Sequence, residues 1–240
     1  MNKQERLFVN FVKYLLTNLS FLRSIEVSLR FKRFYKQNFG NIKFQGQFFQ
    51  DMVAFFFFQN KKEGFYIDIG ANDGISGSNT YIFEQIGWNG VCIEPHPVAY
   101  KYLKKYRKCD CYNVALSTEV NENVDFFKAS ASVLSGLNEG MEESHKQWAK
   151  DSGKTEIIKV KTVTFDEIMA NYPTVNHIDF MSLDVEGYEI PILETINFNK
   201  YTFGFITVEN NDTEKIMEIM QKNRYKVFME RGGDIMFIPE

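Results

Sequence analysis

The stretch FYIDIGANDG, residues 65–74, decides the fold of this 240-residue chain. Phe65 to Ile69 is a short apolar run interrupted only by Asp68; it breaks at Gly70, and Gly74 follows four positions later. A parallel strand buried on both faces reads this way when it ends in a tight turn whose backbone must approach a ligand closely. The acidic residues indicate which ligand. Asp68 stands two residues before Gly70 and Asp73 just before Gly74, and a pyrophosphate would be repelled by both. Asn72 also occupies the place where the dinucleotide pattern G-x-G-x-x-G requires its second glycine. S-adenosylmethionine offers a sulfonium, an amino group and ribose hydroxyls instead. The turn therefore reads as a nucleoside-cofactor site built for a cation.

Outward from this turn, strands and helices alternate. Strands are expected at Phe65–Ile69, Gly90–Glu94, Tyr112–Leu116, Ile178–Asp184 and Phe203–Glu209. Helices are expected from Asn79 to Ile86, Val98 to Tyr106, Phe165 to Asn171, Ile190 to Ile196 and Thr213 to Lys222, with Thr164 and Glu167 as a capping box for the third. Tyr225–Glu230 and Asp234–Ile238 read as strands around the turn Arg231-Gly232-Gly233. The expected fold is α/β: a Rossmann-like, class I methyltransferase sheet, mostly parallel, finished by a C-terminal antiparallel hairpin. Residues 118–163 are less regular, with strand-like pieces at Val124–Phe127 and Ile157–Val163.

A hydrophobic content of 44% and a charged content of 25% suit one large globular domain. The net charge of −3 hides an asymmetry, because residues 1–45 hold nine Lys/Arg against Glu5 and Glu26. That stretch also places Phe8, Phe11, Val12, Leu15, Leu16, Leu19 and Leu22 on one helical face. It reads as a basic amphipathic helical extension, residues 1–45, ahead of a catalytic domain at 46–240. Its basic side is either simply solvated or in peripheral contact with the inner face of an anionic membrane. No nucleic-acid partner is expected, since no reading motif accompanies the charge. Cys92, Cys109 and Cys111 give an odd count without C-x-x-C, which points to a reduced, cytoplasmic protein. Lys13, Asn18 and Arg23 break the N-terminal apolar residues, so no signal peptide is expected. The longest apolar run, MVAFFFF at 52–58, is too short to span a bilayer.

Four features gather at the carboxyl ends of the expected strands, where open α/β sheets bind ligands. The first is the turn already described. The second is Glu94 in GVCIEPHP (90–97), followed by Pro95; an acidic residue ending the second strand accepts from two vicinal ribose hydroxyls. The third is NVALS (113–117), where the small Ala115 leaves room for an adenine ring. The fourth is SLDVEGYE (182–189), whose Asp184 and Glu186 end an apolar strand, joined by Glu209 and Asn210 after the next. Carboxylates in such a place are costly unless they meet a ligand, a metal or a proton-transfer partner. General-base catalysis on a hydroxyl is the favoured reading, ahead of a hard divalent cation such as Mg²⁺. No two of the three histidines have ligand spacing, no metal site is assigned, and His96 reads as a surface-loop residue.

On these pieces the chain resembles the FkbM-type S-adenosylmethionine-dependent methyltransferases. The matching segments are GQFFQD (46–51), FYIDIGANDGISGSNTYIFE (65–84), GWNGVCIEPHP (87–97), NVALS, IDFMSLDVEGYE (178–189) and ITVEN (206–210). The resemblance and the turn together give a cofactor-binding set of Asp68, Gly70, Asn72, Gly74, Ser78, Glu94, Pro95, Ala115 and Asp184. Gln50 and Asp51 are expected to close over the methionine end. The resemblance further implies O-methylation of a hydroxyl on a small molecule, a glycan or a glycolipid precursor. Asp184 is the first choice for the proton acceptor, then Glu209, with Glu186 beside them. Segment 118–155, with Phe126, Phe127 and Trp148, is a candidate acceptor-binding lid. Two rivals stand: an NAD-dependent oxidoreductase, against which Asn72, Asp68 and Asp73 argue, and a non-catalytic glycan- or membrane-binding protein that keeps the fold.

Overall fold

Phe65–Ile69 forms β1, an inner strand of the main sheet, in the computed structural model of the chain, which describes residues 43–58 and 61–240. The other strands are β2 (Asn89–Ile93), β3 (Asp110–Tyr112), β4 (Ala115–Leu116), β5 (Asn121–Ala129), β6 (Gly136–Leu137), β7 (Thr155–Val163), β8 (His177–Leu183), β9 (Thr202–Glu209), β10 (Tyr225–Arg231) and β11 (Asp234–Pro239). The helices are α1 (Gln50–Phe57), α2 (Tyr81–Gln85), α3 (Pro97–Tyr106), α4 (Glu143–Ser152), α5 (Phe165–Met169), α6 (Glu189–Thr195) and α7 (Thr213–Lys222). Among the described residues the main sheet has the order β10-β11-β9-β8-β1-β2-β3. The five strands from β9 to β3 run parallel; β11 runs antiparallel between β9 and the edge strand β10, to which it is joined by a turn at Gly232. This is the class I methyltransferase arrangement that the strand pattern predicts.

The sequence explains why β1 is an inner strand. Tyr66, Ile67 and Ile69 are fully buried, so both faces of the strand are covered. The order reverses here: β2 lies on one side of β1 and β8 on the other, which opens a crevice at their carboxyl ends. Thr164 and Glu167 make the expected reciprocal cap of α5, with N···O distances of 3.3 and 3.2 Å. Asp212 caps α7 by accepting from the Lys215 N–H.

Two expectations are corrected. The third strand does not run from Tyr112 to Leu116. The Asn113 side chain donates to the carbonyls of Glu94 (2.8 Å) and Pro95 (3.1 Å), and the chain leaves the sheet there. Ala115–Leu116 then enters a separate four-stranded sheet of order β4-β7-β5-β6. The segment 118–155 is thus a folded sheet with a 3-10 turn at Ser132–Leu134 and the helix α4. Its aromatics do not share a face. Phe126 belongs to the main core and, with Ser132, Val133, Ser135, Gly136 and Leu137 of the same segment, borders the crevice at the carboxyl end of β1. Phe127 packs with Leu134 and Met141, and Trp148 is 60% exposed. The basic extension expected at 1–45 lies almost wholly outside the described residues. Among the described residues no helix is long and apolar enough to cross a membrane.

Candidate active site

The turn after β1 is held by backbone. The N–H groups of Gly70 and Ala71 both donate to the Ile93 carbonyl at 3.0 Å, which fixes the turn against β2. Gly70 has φ +87°, and a Cβ placed on it would stand 1.7 Å from the Asp184 carbonyl oxygen. Only glycine fits there. Asn72, at φ +48°, donates its N–H to Glu94 Oε2 at 2.7 Å. The other Glu94 oxygen accepts the His96 N–H, also at 2.7 Å. Burial still outweighs these donors and pushes the Glu94 carboxyl up to about 7.

Asp68, Gly70, Asn72, Ser78, Glu94, Pro95, Ala115, Asp184 and Glu186 all line one cavity. Gly74 does not. It has φ +82° and leaves space for Leu103 and Arg107, so its role is packing. The charge argument from the sequence also changes. The Asp68 carboxylate accepts from Thr80 Oγ1 (2.5 Å) and Ser78 Oγ (3.4 Å), and it lies 3.8 Å from Arg107 Nη1. Asp73 accepts from the Ile75 and Ser76 N–H groups and from Ser76 Oγ. Asp73 is thus committed to holding the loop, whereas Asp68 holds it through Oδ2 alone and still lines the cavity.

Three further placements differ from expectation. His96 is buried, not on the surface. Its Nδ1 accepts from the N–H groups of Val98 and Ala99, capping α3, while its Nε2–H donates to the Ala129 carbonyl at 3.1 Å. Gln50 and Asp51 do not reach the cavity: Gln50 donates to Asp234 at 2.6 Å, and the fully buried Asp51 accepts from Gln45 N–H. Gln47 of the same segment lines the cavity instead. Asn210 exchanges hydrogen bonds with Thr213 and takes no part in the acidic group; Asn211 donates to Glu189 at 2.6 Å in its place.

The acidic group itself is denser than the spacing suggests. One carboxylate oxygen from each of Asp184, Glu189 and Glu209 lies within 4.8 Å of the others. Glu189, missed from the sequence, is oriented by the N–H groups of Val185 (2.8 Å) and Gly187 (3.1 Å). Burial, then repulsion from Glu209, Glu186, Asp234 and Glu189, holds Asp184 well above the usual carboxylate range. Glu186 is pushed up to about 9 and Glu209 to about 7, burial being the first cause in each. Among the described residues no Lys or Arg forms an ion pair with any of these groups. Glu209 does not line the cavity, and its Oε2 is buried without a partner among the described residues. A positive charge entering beside Asp184 relieves this repulsion.

Two other residues were not legible as cavity-lining. Ser132 donates to Asn72 Oδ1 at 2.6 Å and ties the second sheet to the turn. Asn79 donates to Ser182 at 3.2 Å, and its Oδ1 is buried with no partner among the described residues.

The family profile of the methyltransferase FkbM domain matches residues 68–227. No curated protein matches the chain. Among solved structures, the chain is similar to precorrin-6y C5,15-methyltransferase from Geobacter metallireducens GS-15. Identity is 12% over 78% of this chain and 84% of that one, with a TM-score of 0.38. It is also similar to a methyltransferase from Geobacter sulfurreducens, at 10% identity over 90% of this chain and 89% of that one, TM-score 0.40.

Proposed function

The chain belongs to the FkbM methyltransferase family, and on that premise we propose that it methylates a hydroxyl, on a sugar of a glycan or glycolipid precursor, using S-adenosylmethionine. The observation that carries this reading is the meeting of Glu94 and Asp184 in one cavity floored by the Gly70 turn. Glu94 accepts one backbone N–H on each oxygen and keeps lone pairs for a pair of ribose hydroxyls. Ala115 leaves room beside it for the base. When bound, the cofactor supplies an electrophilic methyl on a positively charged sulfur.

The residues of the chain then have to position and deprotonate the acceptor, because an alkyl hydroxyl is a poor nucleophile near neutral pH. Asp184 is the proton acceptor in this reading. Its carboxyl holds a proton while only other carboxylates surround it, and loses that proton when a positive charge stands beside it. The base is therefore made available by loading of the site. Glu209 and Asp234, pushed up to about 7 and about 6, supply the negative field that sets this threshold, whereas Glu186, pushed up to about 9, keeps its proton near neutral pH.

Calorimetry with S-adenosylhomocysteine and with NAD⁺ tests the premise. Binding of the first alone supports methyl transfer, binding of the second supports oxidoreduction, and binding of neither supports a non-catalytic role. In the same measurement Glu94→Ala is expected to lose roughly 1.5–3 kcal/mol of S-adenosylhomocysteine affinity. Wild-type affinity should rise with pH through about 7, where Glu94 ionises, and the variant should lose that dependence. An unchanged affinity removes Glu94 from the site.

Asp184→Asn is expected to slow turnover on the order of 10²–10⁴-fold, and to weaken S-adenosylmethionine more than S-adenosylhomocysteine, because only the former brings the sulfonium that draws the proton from Asp184. Labelled methyl transfer to a panel of sugar precursors provides the assay. The closeness of Asp184, Glu189 and Glu209 favours one second reading, a hard divalent cation held by the three. Activity that survives chelation keeps the base assignment; activity lost to chelation and restored by Mg²⁺ transfers it to the cation.

A further inference from the structure

Three thiols and a guanidinium meet behind the cofactor turn, at the β3 edge of the main sheet. Cys92 lies in β2, in register with Asp68 on one side and with Cys111 of β3 on the other. Cys109 Sγ stands 3.4 Å from Cys92 Sγ and 3.9 Å from Cys111 Sγ, and all three are free thiols. Cys92 is buried, whereas Cys109 and Cys111 are half-buried. Nothing in methyl transfer requires them.

The surroundings divide the three chemically. Contact with the Cys111 thiol first, then with the Cys92 thiol, and the Arg107 charge hold the Cys109 thiol below the usual range. Burial raises Cys92, and the Cys109 thiolate raises Cys111. The most acidic of the three sulfurs thus lies 3.4 Å and 3.9 Å from two less acidic ones, the arrangement of an attacking and a resolving sulfur. Glu84 and Arg107 connect them to the cofactor turn: Glu84 Oε2 accepts both the Cys109 N–H (3.2 Å) and Arg107 Nε–H (3.2 Å), and Arg107 donates to the Gly74 carbonyl (3.1 Å), Ser78 Oγ (3.3 Å) and Thr80 Oγ1 (2.9 Å).

We propose that Cys109 is an oxidation site, reacting with a hydroperoxide and then closing a disulfide with Cys92 that loosens the Arg107 clamp on the turn. In the first step the Cys109 sulfur attacks the terminal oxygen of the peroxide. An S–O bond forms, the O–O bond breaks, and the alcohol (water, for hydrogen peroxide) leaves after taking a proton. In the second step Cys92 gives up its proton and attacks the oxidised sulfur. The S–S bond forms, the S–O bond breaks, and water departs with the oxygen. The two thiols are oxidised by two electrons and the peroxide is reduced by two. Cys92 is the resolving partner because it is the nearer sulfur and because a Cys109–Cys111 bridge would close across a single residue. The sulfurs must approach to about 2.05 Å. β3 has three residues and one sheet neighbour, so the movement falls on a weakly held edge.

The test treats the full chain with equimolar hydrogen peroxide, blocks residual thiols and maps the peptides without reduction. The expected product is a Cys92–Cys109 link within one chain, two hydrogens lighter and reversed by dithiothreitol. Cys111→Ser should retain it, Cys109→Ser should abolish it, and Cys92→Ser should leave a sulfenic acid on Cys109 that dimedone traps. Alkylation of Cys109 should be nearly flat between about pH 6 and about pH 8, unlike that of an ordinary thiol. These readouts do not depend on methyl transfer. Peroxide consumption no faster than that of free cysteine, or a link only to Cys111 or between chains, overturns the proposal. The coupling to the turn rests on the cofactor reading above: weaker S-adenosylhomocysteine binding by the oxidised chain supports it. Unchanged affinity, in a chain whose reduced form binds, overturns the coupling and leaves the oxidation site standing.

Discussion

Gly70→Ala is expected to eliminate measurable S-adenosylhomocysteine binding and to destabilise the fold by roughly 2–5 kcal/mol. Two costs combine. The residue is at φ +87°, where an L side chain is strained by about 1–2 kcal/mol. The added methyl would also sit 1.7 Å from the Asp184 carbonyl oxygen, and that carbonyl belongs to backbone rather than to a flexible side chain. The Asp184 N–H is bonded to the Ile69 carbonyl at 3.0 Å, so the neighbouring residues cannot separate without opening β1 from β8. Those two strand ends carry the turn and the proposed base, so the fold and the site fail for one reason. Gly87→Ala is the control: φ is +101°, but the nearest atom to its Cβ is the Lys62 oxygen at 3.7 Å. It should show the backbone cost alone. Denaturant titration of both variants separates the two terms, and equal destabilisation would mean that the close approach at Gly70 has no energetic weight.

The strand and helix pattern was legible because the main sheet is buried on both faces, which leaves short apolar runs with abrupt ends. β1 matches the sequence reading residue for residue, and β8 and β9 match it within one residue. The failures have a common cause. Asn113, His96 and Gln50 are polar residues whose hydrogen bonds are made with backbone or side chains distant in sequence, or with a cap, and no local spacing reveals such partners. The same holds for the acidic group, where Asp184 and Glu209 were visible as strand ends but Glu189, last in SLDVEGYE and just before the helix expected from Ile190, carried no signal of its own. Its location follows from the Val185 and Gly187 N–H groups, which emerge only when the chain turns at Glu186 (φ +60°) and Gly187 (φ +113°). Asp68 and Asp73 show the limit of reading charge from sequence. Both stand at the turn, but Asp73 binds only the loop itself, and Asp68 divides itself between the loop and the cavity.

Arg107 is the residue whose importance the sequence hides best, since KKYRKCD (104–110) reads as the solvated basic end of a helix. The guanidinium is in fact fully buried. It lies 3.2 Å from Glu84 and 3.8 Å from Asp68, and over the rings of Tyr66 and Tyr81. Arg107→Met keeps much of the volume and removes the charge, leaving two carboxylates without their cation. The expected destabilisation is about 3–5 kcal/mol, the range for a buried pair deprived of one partner. The deficit should depend on pH with a definite sign. Burial already raises Asp68 above the ordinary value, and loss of the Arg107 charge, which acts to lower it, raises it further. The native variant then binds a proton more tightly than the unfolded chain, so its stability falls as pH rises. The gap from wild type should be smaller near pH 5 than near pH 8. Adding Asp68→Asn should recover part of the loss at the higher pH, because the removed charge no longer needs a counter-ion. Since the same guanidinium holds the carbonyl of Gly74 and the hydroxyls of Ser78 and Thr80, Arg107→Met should also weaken S-adenosylhomocysteine binding under conditions where the variant is still folded. Equal stability of variant and wild type across this pH range would show that the loop carboxylates are neutralised by some other means.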